Sequence, residues 1–117
     1  MPRIVGRDDA GTALALYRSS IYNTFMIQSF RCADTERLFR RERVGRFASF
    51  EAVARRKLDQ LNAAATLNFL RAPPGNRLEA LKGDRVGQHS IRVNDQFRLC
   101  FVWTAQGPKD VELVDYH

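Results

Sequence analysis

Residues 91–103 read Ile91-Arg92-Val93-Asn94-Asp95-Gln96-Phe97-Arg98-Leu99-Cys100-Phe101-Val102-Trp103, and this run decides the fold. Ile91 and Val93 alternate with polar residues, and Phe97, Leu99, Phe101 and Trp103 again occupy every second position, so both halves read as strands. The connection sets the register. A two-residue turn would place Ile91 opposite Arg98, whereas a three-residue loop of Asn94, Asp95 and Gln96 pairs Val93 with Phe97 and Ile91 with Leu99. The longer loop keeps apolar residues together, and it sets Arg92 directly opposite Arg98. Like charges facing each other across a ladder are destabilising unless something negative lies between them, and planar guanidinium forks suit a phosphate. The hairpin therefore predicts one apolar face toward helices and one anion-binding face. Solvated strand positions are the alternative for both arginines.

Outward from the hairpin, a last strand is expected over Val111 to Tyr116, and Leu78 and Leu81 lead into a turn at Gly83 and Asp84. Pro73, Pro74, Gly75 and Asn76 break regular structure before that half. Upstream, Ser49 is the expected N-cap of a helix with Glu51 in its first turn and Phe50, Val53, Leu58 and Leu61 forming one stripe. Its other face carries Arg55, Arg56 and Asp59, and Ala63 to Leu70 has room for one more turn. An earlier short helix carries Leu38 and Phe39, capped by Asp34 or Thr35 and ended at Gly45. A strand over Ile27 to Phe30 opens the series. Strand, two helices and then three or more antiparallel strands make an α+β protein, with the N-terminal strand and two helices packed on one face of a small, mostly antiparallel sheet.

The chain of 117 residues is expected to hold one domain, over residues 26–117, beginning at the second methionine, Met26. Residues 1–25 show no sustained period and are expected to be an extension, disordered or an artefact of start-site choice, with a short helix near Ala13 to Tyr17 as the alternative. The net charge is +6, and sixteen of the nineteen basic residues are arginine. That bias favours phosphate and base recognition, so RNA leads as partner class, with an acidic protein fitting the charge equally well. Cys32 and Cys100 lack a CxxC spacing, which predicts no disulfide framework and no structural zinc. No apolar run approaches the roughly 18 to 20 residues a membrane span needs, so a cytoplasmic protein with no membrane contact is expected. Gly-rich phosphate loops and paired-histidine ligand motifs are lacking, which removes P-loop hydrolysis, zinc hydrolysis and dinucleotide redox chemistry.

RNA cleavage without a metal has three requirements: a 2′-hydroxyl that loses its proton, a pentavalent phosphate that is stabilised, and a leaving 5′-oxygen that gains a proton. Lys82, Arg92 and Arg98 suit the growing phosphate charge. Proton transfer falls to Tyr116 or His117. A tyrosine, ordinarily near pKa ~10, needs neighbouring cations to favour its phenolate, and Arg92 with Arg98 supplies that field. His117 titrates in the right range but ends the chain. His89 shares the Ile91 side of its strand, which suits a packed neutral ring.

Leu81-Lys82-Gly83-Asp84-Arg85, then Ser90-Ile91-Arg92-Val93, Phe97-Arg98 and the final Asp115-Tyr116-His117, together resemble the HigB branch of the RelE toxin superfamily. The likeness runs from Met26 to His117, and includes the opening Met26-Ile27-Gln28-Ser29-Phe30. It implies a RelE-like fold and the toxin of a bacterial type II toxin and antitoxin pair, an mRNA endonuclease that enters the ribosomal A site and cuts the codon there. By residue-to-residue match it assigns Lys82, Arg85, Arg92 and Arg98 to RNA phosphate and Asp115, Tyr116 and His117 to a C-terminal catalytic cluster. It implies no metal or organic cofactor, a HigA-type helix-turn-helix antitoxin as partner, and operator DNA reached through that complex. Where the family often has a histidine before the Lys-Gly-Asp-Arg run, this chain reads Arg77-Leu78-Glu79-Ala80, with Glu79 at that place.

Overall fold

A computed structural model describes residues 26–116. The extension before Met26, expected to be disordered or a start-site artefact with a short helix near Ala13 to Tyr17 as the alternative, and His117 lie outside the described residues. Two α-helices, α1 (Ala33–Phe39) and α2 (Glu51–Ala63), precede the strands β1 (Glu79–Ala80), β2 (His89–Arg92), β3 (Phe97–Thr104) and β4 (Gly107–Asp115). The strands form one antiparallel sheet in sequence order. The α+β expectation holds.

The hairpin takes the expected register, with Ile91 opposite Leu99 and Arg92 opposite Arg98. Its loop is held by Asn94, whose Oδ1 accepts from the backbone N–H of Gln96 (2.8 Å) and of Phe97 (2.7 Å). This local bond, of the kind asparagine offers in turns, closes the three-residue connection. On the covered face, Ile91, Val93, Phe97, Leu99, Phe101, Val111 and Leu113 meet Leu38, Val44, Phe47, Leu58 and Leu61 in one core. Phe97 anchors it, with ring centroids 4.7 Å from Phe50 and 5.9 Å from Phe47.

Several expected boundaries move, each for a stated reason. Ser49 does not cap α2, because a 3₁₀ segment over Gly45–Phe50 winds straight into it and leaves Phe50 at the cap. Neither Asp34 nor Thr35 caps α1. Cys32 takes that place, since the Thr35 hydroxyl is fully buried and accepts the Leu113 backbone N–H at 3.0 Å. Gly45 does not end α1 either; the helix stops at Arg40, and Arg41 follows with φ of 70°. The extra turn expected between Ala63 and Leu70 is a 3₁₀ segment at Leu67–Arg71.

The expected first strand, Ile27 to Phe30, is reduced to a single parallel bridge between Phe30 and Val111. It nevertheless covers the open edge of β4, through Gln28 N–H to Pro108 O (2.7 Å), Val111 N–H to Ser29 O (3.1 Å) and Arg31 N–H to Val111 O (2.9 Å). With Thr35 on the next free N–H, the donors of an edge strand are occupied from within the chain. The last strand starts at Gly107 rather than Val111. A bulge between Cys100 and Val102 shifts the β3–β4 register, and Asp110 sits in it with φ of 53°, so the apolar alternation breaks where the strand continues.

Candidate functional site

Directly opposed residues of an antiparallel ladder share a face, so the register arranges in rows the face that the two helices leave uncovered, where Ser90 and Cys100 are nevertheless fully buried. Glu79, Ser90, Cys100 and Glu112 make one row across all four strands. Arg92, Arg98 and Val114 make the next, about 7 Å along the strands. Tyr116 lies two residues beyond Val114, and its backbone N–H continues the ladder to Gln96 O at 2.8 Å, which keeps it on the Arg98 side. Tyr116 is exposed. Arg92, Arg98 and Tyr116 thus lie at one end of this face, Tyr116 one strand and two residues from Arg98 and a further strand from Arg92.

The other expected residues are dispersed. Asp115 opposes Phe97 and therefore belongs to the opposite side of the ladder, where its Oδ2 accepts from Gln96 Nε2 at 3.0 Å. Lys82 is exposed and precedes a 3₁₀ turn over Gly83–Arg85, at the far end of the sheet, where Leu81 N–H meets Gln88 O. Four residues of strand separate Gln88 from Arg92, roughly 13 Å. Arg85 donates from Nη1 to Gln88 Oε1 (3.1 Å) and Glu112 Oε1 (3.5 Å). His89 stacks on Phe101 with centroids 6.3 Å apart, matching its expected packed position.

The two opposed arginines differ in environment. Arg92 pairs with the fully exposed Asp95 of the hairpin loop. Arg98 is tied down inside the fold, its side chain only 13 % exposed. Its Nε donates to Ser90 Oγ (2.7 Å) and its Nη2 to the Arg77 carbonyl (2.7 Å), with a Glu79 carboxylate oxygen 3.6 Å away. Glu79, at the place where the resembled family often has a histidine, thus balances Arg98.

Sequence reasoning missed the residues that build this arrangement. Asn76 is fully buried, donates to Gln60 Oε1 and the Leu70 carbonyl (3.1 Å each), and accepts from the Lys57 ammonium. It is followed by Arg77 in the left-handed conformation (φ 46°), which aims the Arg77 carbonyl at Arg98. Burial lowers the Lys57 pKa, and the nearby charges of Arg56 and Arg92 push the same way. Lys57 is therefore part of the positive field around Arg92. The unsatisfied demand of a buried asparagine was legible only as a turn residue, because its partners come from two other segments.

The cysteines are set apart by their surroundings. Burial works to raise the Cys32 thiol, but hydrogen bonds from Thr35, from the Asp34 backbone and from Arg46 outweigh it and lower the pKa. Burial raises that of Cys100, on the floor of the Ser90 and Glu112 row. Among the described residues, no cluster of histidine, cysteine and carboxylate side chains has the makings of a metal site, and no helix is long and apolar enough to cross a membrane.

Comparison with known proteins gives a consistent answer. The model of a family described as the RelE-like toxin of type II toxin-antitoxin system HigB matches residues 28–117. The chain is 52% identical over 56 residues to Toxin HigB-1 of Vibrio cholerae serotype O1, a match covering 48% of this chain and 59% of that protein. It is 47% identical over 49 residues to an uncharacterized protein of Haemophilus influenzae, covering 42% of this chain and 48% of the other. The chain thus spans about half the length of the curated relatives it matches.

Proposed function

The chain belongs to the HigB family of RelE-like toxins, and from that premise we propose that it is a ribosome-dependent mRNA endonuclease, cutting codons in the A site and stopping translation. The observation that carries the reading is the juxtaposition of Arg92, Arg98 and Tyr116 at one end of the uncovered sheet face. Two guanidinium groups on one rung attract a phosphate, and the Tyr116 phenol lies at the same end of that face. In this mechanism the 2′-hydroxyl gives up its proton as it attacks the adjacent phosphorus, with Tyr116 as the proton-transfer group and His117 as helper. Arg92 and Arg98 stabilise the added negative charge of the pentavalent phosphate, and the departing 5′-oxygen takes a proton. Lys82 and Arg85 bind RNA phosphate further along the strand, and Asp115 positions the C-terminal end through Gln96. No metal or organic cofactor takes part.

In this reading the partner is a HigA-type helix-turn-helix antitoxin that neutralises the toxin, and operator DNA is reached only through that complex. Work in the A site places the protein in the cytoplasm. The test is mapping of mRNA 5′ ends by primer extension after brief induction, beside Tyr116→Ala. In-frame cuts that vanish in the variant support the proposal, and growth arrest without cuts refutes it.

One observation favours a second reading. Arg98 already spends its guanidinium on Ser90, Arg77 and Glu79, as a structural arginine does. A basic protein of the same fold that binds antitoxin, DNA or ribosomal RNA without cutting would need no more of it than that. Loss of toxicity in Tyr116→Ala separates the two, because a pure binder has no use for the phenol.

A further inference from the structure

At the Lys82 end of the uncovered face, a cleft of about 340 Å³ is lined by Arg31, Asp84, Arg85, Gln88 and Glu112. Arg31 reaches it because the N-terminal segment runs beside β4, with Arg31 N–H on the Val111 carbonyl. Glu112 enters from the row that holds Cys100, one same-face step from the row of Arg92 and Arg98. Fully buried Cys100 is the neighbour of Glu112 in that row.

The charges of this lining cancel, two arginines against two carboxylates. Inside this lining a phosphate gains little; it is drawn instead to the Arg92 and Arg98 rung and, at the rim, to the Arg85 nitrogens other than the Nη1 that faces Gln88 and Glu112. What the cleft presents instead is alternating hydrogen-bond capacity. Arg85 engages one oxygen each of Gln88 and Glu112 (3.1 and 3.5 Å) and so fixes both side chains. Among the described residues, the Gln88 amide nitrogen, the second Glu112 oxygen and the Arg31 guanidinium have no such partner. A flat, neutral ligand with donors and acceptors on its edge matches that set.

We propose that this cleft is a nucleobase pocket, receiving the base of a nucleotide next to the one whose phosphate lies between Arg92 and Arg98. The inference rests on the endonuclease reading for its substrate class. The separation of the two rows, about 7 Å, is within one nucleotide's reach along an extended strand. The free Glu112 oxygen is an acceptor, and a carboxylate takes a hydrogen bond from an exocyclic amino group. Adenine, cytosine and guanine offer one, whereas uracil has only its ring N3–H, whose two flanking carbonyl oxygens are repelled by the Glu112 and Asp84 carboxylates of the lining. The pocket therefore selects against uracil.

The test uses the full-length, isotope-labelled protein and five U-X-U trinucleotides in which hydrogen replaces every 2′-hydroxyl, so that none can be cut. X is adenine, cytosine, guanine, uracil or an abasic sugar. The expected result is movement of the Gln88 side-chain amide and Arg85 Nε–H resonances with the first three. Binding of the uracil and abasic probes should be at least about fivefold weaker, the low end for one good base contact. Glu112→Gln, whose new amide cannot accept at that atom, should shrink the difference below about twofold. If that variant does not fold, Gln88→Ala reads the same difference. Equal affinity for all five probes, or shifts confined to Arg92 and Arg98, overturns the pocket. Neither ribosome nor cleavage enters the assay, so a failed pocket leaves the endonuclease reading standing, and absence of cuts in cells does not remove a selective pocket.

Discussion

Replacing Arg98 by alanine should destabilise the protein, while the same change at Arg92, its partner across the ladder, should not. From the hairpin alone the pair reads as a like-charge liability, so that removing both side chains leaves the fold at least as stable. The contacts of Arg98 reverse that expectation for one of the two. Its Nε bond to the hydroxyl of fully buried Ser90 is charge-assisted, and losing such a bond costs about 1.5 to 3 kcal/mol. The Arg77 carbonyl belongs to an exposed residue and can turn to water, so it adds little. Relief of repulsion with Arg92 returns up to about 1 kcal/mol. The net loss is about 1.5 kcal/mol, a fall in Tm of roughly 6 to 12 °C for a domain of this size. Among the described residues Arg92 pairs only with exposed Asp95, and Arg92→Ala should stay within about 0.5 kcal/mol of the parent. Thermal unfolding followed by far-UV circular dichroism at fixed protein concentration reads both. Equal Tm for Arg98→Ala and the parent would refute the reasoning, and it would return Arg98 to the status of a free phosphate ligand.

Three further outcomes concern Thr35 and the two thiols. Thr35→Val keeps the shape but leaves the Leu113 N–H buried without an acceptor, so it should lower stability by about 1 to 3 kcal/mol in urea titration, with Thr35→Ser close to the parent. The lowered pKa of Cys32 means more thiolate at a given pH, so iodoacetamide should modify it with a rate midpoint below that of a free cysteine. Cys100, buried and shifted upward, should react only after unfolding. Mass spectrometry of alkylated peptides across a pH series checks both thiols.

What could be read in the sequence follows the range of the forces involved. The β2–β3 register was legible because period-two burial and the local bonding of Asn94 act within a few residues. The cap of α1 was not. Thr35 looks like a capping residue until the Leu113 N–H, 78 positions away in sequence, claims its hydroxyl. The first half of β4 was hidden by the bulge at Asp110, which interrupts the alternation that identifies a strand.

The candidate site divides in the same way. Arg92 facing Arg98 was legible from spacing, whereas Tyr116 was singled out by the needs of proton transfer and by resemblance, and its place at the same end of the face comes from the β3–β4 register. That Arg98 is held by Arg77, Ser90 and Glu79 was not, because the holding carbonyl depends on a left-handed residue placed by buried Asn76. Lys82 and Asp115 stand apart from the Arg92 and Arg98 rung. Their assigned roles therefore rest on resemblance, and they call for contact with the RNA further along its path.

The most direct measurement is primer extension on cellular mRNA after brief induction of the full chain, compared with Tyr116→Ala expressed at the same level. The account predicts cuts within in-frame codons of translated messages for the parent and none for the variant. Growth arrest without cuts, or an undiminished cleavage pattern in Tyr116→Ala, would contradict it.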